Sequence, residues 1–133
     1  VKLAKDGSLQ GESPDEVALV EAARTAGFKV VAQQVTDTGT IQSLQSPWGS
    51  QDHRLAHELA FTSDRKRMSG IFPTPDGGAQ VLCKGADSIM EGLLAFPLPP
   101  EARRALSDFS RAGLRTLVVA QRQLSSGEYA SWK

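Results

Sequence analysis

The chain has 133 residues, and its fifteen Lys and Arg side chains balance fifteen Asp and Glu side chains, so the formal net charge is zero. This length, with 40 % hydrophobic and 23 % charged residues, predicts one globular domain over residues 1–133 and excludes a disordered or collagen-like chain. A single cysteine excludes a disulfide framework. The lack of a basic excess argues against nucleic acid as a partner, and no apolar run reaches the ~18 residues of a membrane span.

The clearest local pattern is the segment Ser13-Pro14-Asp15-Glu16, which predicts the start of a helix. Ser13 can cap the helix, Pro14 suits its first position, and Glu16 completes a capping box. The helix should continue through Ala23 and end at Gly27, where glycine readily adopts the left-handed conformation.

Short runs of β-branched and apolar residues then predict about six strands. These runs are residues 28–35, 41–44, 55–61, 68–72, 79–84 and 114–120. The last run is apolar nearly throughout and is expected to be a central strand. Residues 45–52 are expected to form a loop, because they are polar and contain Pro47 and Gly49.

Three further helices are predicted between and after these strands, over residues 85–94, 101–112 and 124–133, with Leu106 and Phe109 facing inward in the second. Because short turns join antiparallel neighbours, the expected fold is α/β, with a mostly antiparallel twisted sheet of about six strands flanked by helices.

The sequence has neither the Gly-x-x-x-x-Gly-Lys-Ser/Thr phosphate loop nor a Gly-x-Gly-x-x-Gly motif after a strand. A nucleotide pocket without them needs an aromatic face for the base, an acceptor for the adenine amino group and cations along the polyphosphate. Phe61, Glu16 and the three cations Lys66, Lys84 and Arg115 have these chemistries. Spacing alone does not establish that they converge.

Four of these side chains also have an ordinary structural alternative. Phe61 could belong to the core, Glu16 could serve only as a helix cap, Lys84 could be solvated at a strand end, and Arg115 could form a structural salt bridge. Lys84 also precedes a predicted helix start, where backbone N–H groups would add to a local anion site.

Three other residues have side chains that could bind a metal or react as a nucleophile. His53 and His57 lie in predicted strand or loop rather than on one helix face, so we expect exposed histidines and no metal site. Cys83 lies in an apolar strand, and we expect a buried, inert thiol there, although the lysine beside it could activate it. No catalytic residue is assigned to the chain.

Four segments, taken in order, resemble the nucleotide-binding domain of P-type ATPases. They are Ser13–Val20, Phe61–Ser69, Lys84–Asp87 and Gly113–Leu117. The resemblance covers nearly the whole chain, and details such as Ser-Pro-Asp-Glu, Arg-Lys-Arg-Met-Ser and Gly-Leu-Arg-Thr-Leu are similar to the phospholipid-transporting (flippase) class. It implies the fold of that domain, excised from a larger membrane protein.

The resemblance also implies roles for six residues. Phe61 would stack on adenine, Glu16 would accept a hydrogen bond from the amino group, Lys84 would line the pocket, Arg115 would reach the polyphosphate, and Lys66 and Ser63 would assist. The implied ligand is ATP, with Mg²⁺ carried on its phosphates. The implied partners are the phosphorylation and actuator domains of the same chain, on the cytoplasmic side of a membrane, and a phospholipid substrate for the parent protein only.

The parent implied by this resemblance is an ATP-driven phospholipid translocase. The segment Asp37-Thr38-Gly39-Thr40 echoes the family's phosphorylated Asp-Lys-Thr-Gly-Thr motif, but it lacks the lysine and is predicted to be a hairpin turn. The fragment should therefore hold ATP without turning it over. Two alternatives remain open, namely the nucleotide-binding domain of a cation pump and a regulatory module of this type fused to another protein.

Overall fold

A computed structural model describes all 133 residues, Val1–Lys133. The chain divides into two compact units, Val1–Ala56 and His57–Lys133. Every strand pair in both units is antiparallel, and four α-helices accompany the strands. The predicted α/β class with antiparallel strands is confirmed, although nine strands lie in three sheets where about six strands in one sheet were expected.

The first unit contains β1 (Lys2–Leu3), β2 (Leu9–Gln10), α1 (Pro14–Thr25), β3 (Lys29–Thr36), β4 (Gly39–Ser46) and β5 (Gly49–Leu55). Strands β1 and β2 pair with each other, and the other three form a sheet in the order β3-β4-β5. Thr36 pairs with Gly39, which confirms the predicted hairpin turn at this point.

The expectation of a loop over residues 45–52 is wrong. Ser46 pairs with Gly49, so Pro47 and Trp48 alone form the turn between β4 and β5. Gly49 makes this tight turn possible, because its φ of 135° is a conformation that residues with a side chain rarely adopt. Most of β5 is exposed, so the strand lacks the apolar alternation that would have identified it.

Helix α1 begins and ends where the sequence predicts. The Ser13 hydroxyl accepts the N–H of Glu16 at 3.3 Å, and the Glu16 carboxylate accepts the N–H of Glu12 at 3.1 Å. The capping box is thus shifted, because the carboxylate reaches the residue before the cap. At the other end Gly27 has a φ of 94°, and the N–H of Phe28 donates to a carbonyl five residues back, as in a Schellman motif.

The second unit contains β6 (His57–Leu59), β7 (Arg67–Pro73), β8 (Ala79–Gly85), α2 (Asp87–Met90), a 3-10 turn (Glu91–Leu93), α3 (Pro100–Arg111), β9 (Val118–Leu124) and α4 (Ser126–Trp132). Its strands form one sheet in the order β6-β7-β8-β9. The helix predicted over residues 85–94 is therefore a single α turn followed by a 3-10 turn.

The prediction of a central strand over residues 114–120 is also wrong. Strand β9 begins only at Val118 and lies at the edge of the sheet, where it pairs with β8 alone. The N–H of Leu114 donates to the carbonyl of Phe109 and so closes the end of α3, which leaves the next residues to lead into the sheet. Phe109 is 51 % exposed, so its predicted inward orientation is wrong as well.

The two faces of the four-stranded sheet differ in burial, because successive side chains of a strand point to opposite faces. On one face Ile71 and Ala79 form a buried core with Tyr129 of α4. On the other face Leu82 and Val119 are 36 % and 67 % exposed. This second, open face is also the one to which the alternation assigns Lys84.

Helix α4 is held by a capping box whose acidic residue, Glu128, accepts its hydrogen bonds most strongly when it is ionised. The Glu128 carboxylate accepts the N–H of Ser125 at 2.8 Å and pairs with Arg122 at 2.8 Å. The Ser125 bonds, followed by the Arg122 charge, hold the pKa of Glu128 below its usual value. The pKa of Glu128 is lower in the folded than in the unfolded chain. The stabilisation from the cap is therefore fully present at pH values above the unfolded-state pKa, and it is lost as the pH falls through the folded-state pKa.

We therefore expect an NMR titration of the Glu128 carboxyl carbon to give a pKa below that of a free glutamate. Arg122→Ala should raise this pKa only in part, because the larger contribution comes from the Ser125 N–H. A normal pKa in the wild type, or complete normalisation in Arg122→Ala, would contradict this account of the cap.

Candidate functional site

Strand register brings several predicted site residues to one end of the four-stranded sheet. Arg67 of β7 pairs with Gly85 of β8, and Gly85 pairs with Val118 of β9. We call the end of the sheet defined by this row the Gly85 end. The chain segments that carry Phe61, Ser63, Lys66, Lys84 and Arg115 all enter or leave the sheet here.

Phe61 lies in the connection between β6 and β7, two residues beyond Leu59, which pairs with Ser69. Its side chain is 60 % exposed. The alternative that placed this phenylalanine in the core is therefore wrong. An exposed ring at the end of a sheet offers a flat apolar surface on which a base can stack.

Lys66 and Lys84 are held close to each other by the backbone. Lys66 has a φ of 53°, which is unusual for a residue with a side chain, and its carbonyl accepts the N–H of Ala86 at 3.2 Å. A Cβ on Gly85 would lie 2.7 Å from that carbonyl and 2.6 Å from the Cβ of Arg67. The segment Lys84-Gly85-Ala86 thus needs its glycine so that the two strands can approach closely.

Lys84 itself is half-buried and pairs with Met68 on one side and Val119 on the other. Residues paired across antiparallel strands share a face, so the lysine has an apolar neighbour on each side. Such neighbours can support the hydrocarbon stem of a lysine while its ammonium group reaches an anion.

Arg115 and Ser63 are both exposed. Arg115 lies three residues before Val118, in the segment between α3 and β9, and Ser63 lies in the turn that follows Phe61. Glu16 belongs to the first unit, where its carboxylate caps α1 through Glu12. The second unit therefore contains five of the six predicted residues.

The predicted contribution of free backbone N–H groups after Lys84 is not supported. The N–H of Ala86 donates to Lys66, and the N–H of Ser88 donates to the Asp87 carboxylate at 2.8 Å. Two of the N–H groups at the start of α2 are therefore already bonded within the chain.

The Gly85 end is electropositive although the chain as a whole is neutral. Its segments carry two carboxylates, Asp64 and Asp87, and five cations, which are Arg65, Lys66, Arg67, Lys84 and Arg115. The turn at the opposite end, residues 74–78, contains no cation and one acid, Asp76. The hydroxyl of Thr74 and the N–H of Gly78 hold the pKa of Asp76 below its usual value. The charge is thus polarised along the sheet in the sense that suits an anion at the Gly85 end.

Sequence reasoning missed Arg65. Its Nη1 lies within hydrogen-bond distance of three backbone carbonyls around the connection that carries Phe61. The three consecutive cations Arg65, Lys66 and Arg67 resemble an ordinary solvated charge run, so no signal in the pattern separates this arginine from its neighbours.

The remaining polar candidates lie in ordinary environments. His57 is half-buried, with its ring packed edge-on against Trp132 at 5.1 Å, so the expectation of an exposed histidine is wrong at this position. The Cys83 thiol is half-buried and lies 3.7 Å from the sulfur of Met90. No group of three or more His, Cys, Asp or Glu side chains is arranged to hold a metal ion.

Comparison with known proteins gives two consistent findings. Residues 4–93 match the sequence profile of the P-type ATPase cytoplasmic domain N. Similar full-length proteins are phospholipid-transporting ATPase DRS2 of Saccharomyces cerevisiae, 37 % identical over 132 residues, and phospholipid-transporting ATPase IC of Homo sapiens, 39 % identical over 131 residues. A third is probable phospholipid-transporting ATPase 12 of Arabidopsis thaliana, 40 % identical over 128 residues.

The alignments cover 96 %, 96 % and 92 % of this chain but only 10 %, 10 % and 11 % of the respective relatives. The chain thus spans about a tenth of the length of the proteins it matches. None of its helices is long and apolar enough to cross a lipid bilayer.

Proposed function

Because this chain belongs to the family of P-type ATPase cytoplasmic N domains, we propose that it binds ATP and presents the nucleotide to a phosphorylation domain of the same polypeptide. The observation that carries this proposal is the Gly85 end of the sheet. An exposed aromatic ring and a set of cations share that end in an otherwise neutral chain. An aromatic surface next to positive charge is complementary to an adenine base joined to a polyphosphate.

In this proposal Phe61 stacks on the adenine ring. Lys84, on the open face, binds near the base and the first phosphates, while Lys66 and Arg115 neutralise the polyphosphate and Ser63 adds a polar contact. Glu16 lies in the first unit, and its predicted hydrogen bond to the adenine amino group stays a prediction from the sequence. Mg²⁺ enters as part of the substrate, bound by phosphate oxygens, which are ligands it prefers.

The expected affinity is weak. Stacking of one base on an aromatic ring is worth about 1–3 kcal/mol, and exposed cation contacts add little because solvent and salt screen them. Ordering the flexible triphosphate opposes binding. A net of roughly 4–6 kcal/mol corresponds to a Kd on the order of 0.1–1 mM, which suits a domain that must release ADP after each transfer.

For the parent protein we propose ATP-driven phospholipid translocation, because the similar full-length proteins are named as phospholipid-transporting ATPases. The domain would then work on the cytoplasmic side of the membrane together with phosphorylation and actuator domains. Within residues 1–133 the only segment similar to the phosphorylated Asp-Lys-Thr-Gly-Thr motif is the hairpin turn at Asp37, which lacks the lysine of that motif. We expect the fragment to bind ATP without hydrolysing it.

Lys84→Ala tests the site directly. We expect the wild type to bind MgATP with a Kd on the order of 0.1–1 mM and the variant to bind several-fold more weakly, because it loses one charge-assisted contact. Lys29→Ala is the matched control, since it removes an exposed lysine from β3 of the first unit. Chemical-shift titration measures both. No saturable shift in the wild type, or equal affinity in all three proteins, would refute the proposed site.

A further inference from the structure

Arg65 is placed to hold the connection between β6 and β7 in one conformation. Its Nη1 donates to the carbonyls of Leu59 at 3.0 Å and Ala60 at 2.6 Å, at the beginning of the connection. The same nitrogen lies 3.2 Å from the carbonyl of Arg67, at the far end, so its two N–H groups serve three carbonyls and one of them is shared between two. We call these three bonds the Arg65 clasp. One side chain thereby ties together both ends of the segment that carries Phe61.

The clasped segment has a conformation that needs such support. Lys66 adopts a left-handed φ of 53°, which is unfavourable for a residue with a Cβ. Its N–H donates to the carbonyl of Thr62 at 2.8 Å, and the N–H of Arg65 donates to the Thr62 hydroxyl at 3.1 Å. These bonds close a compact turn, and strained residues of this kind persist only where their surroundings hold them.

Arg65 therefore differs from the cations beside it. Its guanidinium is directed at the backbone, whereas the guanidinium of Arg67 makes one backbone bond, to the carbonyl of Arg65 at 2.9 Å. A planar guanidinium with several donors is suited to bridging carbonyls from separate parts of a chain. The two neighbouring arginines carry equal charge but have unequal structural roles.

We propose that Arg65 is a positioning residue, which binds no nucleotide itself but fixes the exposed ring of Phe61 and the backbone of Lys66 in the arrangement that receives the base and the phosphates. This inference rests on the proposed ATP binding. Preorganisation lowers the entropy lost on binding, so an unclasped segment would bind the same ligand more weakly with all of its contacting side chains still present.

The test compares Arg65→Gln with Arg67→Gln, since each variant removes one positive charge from the same segment. The first readout is amide hydrogen exchange without nucleotide. Arg65→Gln should speed exchange at the N–H groups of Lys66 and Ala86 by about tenfold, while the N–H groups of the central strands β7 and β8 keep their protection. Retained protection in those strands shows that the sheet is folded in the variant.

The second readout is MgATP affinity, measured by titration at constant salt. Arg65→Gln should bind about tenfold more weakly than the wild type, and Arg67→Gln about twofold more weakly, because only the former loses several charge-assisted backbone bonds. Arg65→Lys, which keeps the charge and three donors, should restore part of the protection and part of the affinity.

Unchanged exchange at Lys66 and Ala86 in Arg65→Gln would overturn the clasp. Faster exchange with an affinity equal to that of Arg67→Gln would overturn the positioning role. The second result presupposes that the wild type binds MgATP. If it does not, the proposed function fails, and the role of Arg65 in binding fails with it, while the exchange experiment still reports on the three bonds.

Discussion

Phe61→Ala is expected to weaken MgATP binding by about tenfold, which lies in the lower half of the range of about 1–3 kcal/mol for stacking a base on an aromatic side chain. The ring is 60 % exposed, so its removal leaves no core cavity. The free energy of unfolding should accordingly change by less than about 0.5 kcal/mol. Phe61→Trp, which keeps an aromatic face, should retain binding.

Phe96→Ala is the matched control, because Phe96 is another exposed phenylalanine of the second unit, with 82 % of its surface accessible. It should bind MgATP as the wild type does. Isothermal titration or chemical-shift titration of the three variants shows whether the loss of affinity is specific to the Phe61 ring or follows from removing any exposed apolar side chain. Equal losses of MgATP affinity in Phe61→Ala and Phe96→Ala would show that Phe61 is not part of the site.

Gly85→Ala is expected to produce the largest loss of stability among the substitutions considered. The new methyl group would lie 2.6 Å from the Cβ of Arg67 and 2.7 Å from the carbonyl oxygen of Lys66. Both atoms belong to or adjoin the backbone of the neighbouring segment, so neither can move aside as a flexible side-chain tip could. Relieving this overlap requires β7 and β8 to separate. We expect a destabilisation of roughly 1–3 kcal/mol, measured by urea denaturation.

Gly92→Ala provides the control for this substitution. A Cβ on Gly92 meets no atom within 4 Å, and its φ lies outside the left-handed range. The same chemical change should there be neutral or stabilising by up to about 1 kcal/mol, because alanine restricts the unfolded chain. A Gly85→Ala variant as stable as Gly92→Ala would show that the close approach of the two strands does not constrain this position.

The parts of the fold that depend on neighbouring residues were predictable from the sequence. Ser13 and Gly27 delimit α1 because the hydrogen bonds that cap a helix are made within a few residues of its ends. The same holds for the turn before Gly39. Strand β5 was missed because it is polar and largely exposed, so it lacks the alternation by which a half-buried strand is recognised.

Features set by pairing between distant segments were not predictable in the same way. An apolar run such as Leu114–Ala120 indicates burial but not which strands lie beside it, and here part of the run closes α3 before an edge strand begins. For the site, the residue types were identifiable, whereas their shared location depends on the register that aligns Arg67, Gly85 and Val118. The Arg65 clasp depends on the shape of one connection, which no periodic pattern encodes.

The most direct test of nucleotide binding at the Gly85 end is backbone amide shift mapping of the wild-type chain during titration with MgATP. We expect saturable shifts at residues 61–67, 84–86 and 115–118, which the sheet register gathers. The turn at residues 74–78 serves as an internal reference at the opposite end of the same sheet and should not respond. Shifts that concentrate at residues 74–78, or that stay absent from all three segments while another part of the chain saturates, would contradict the account.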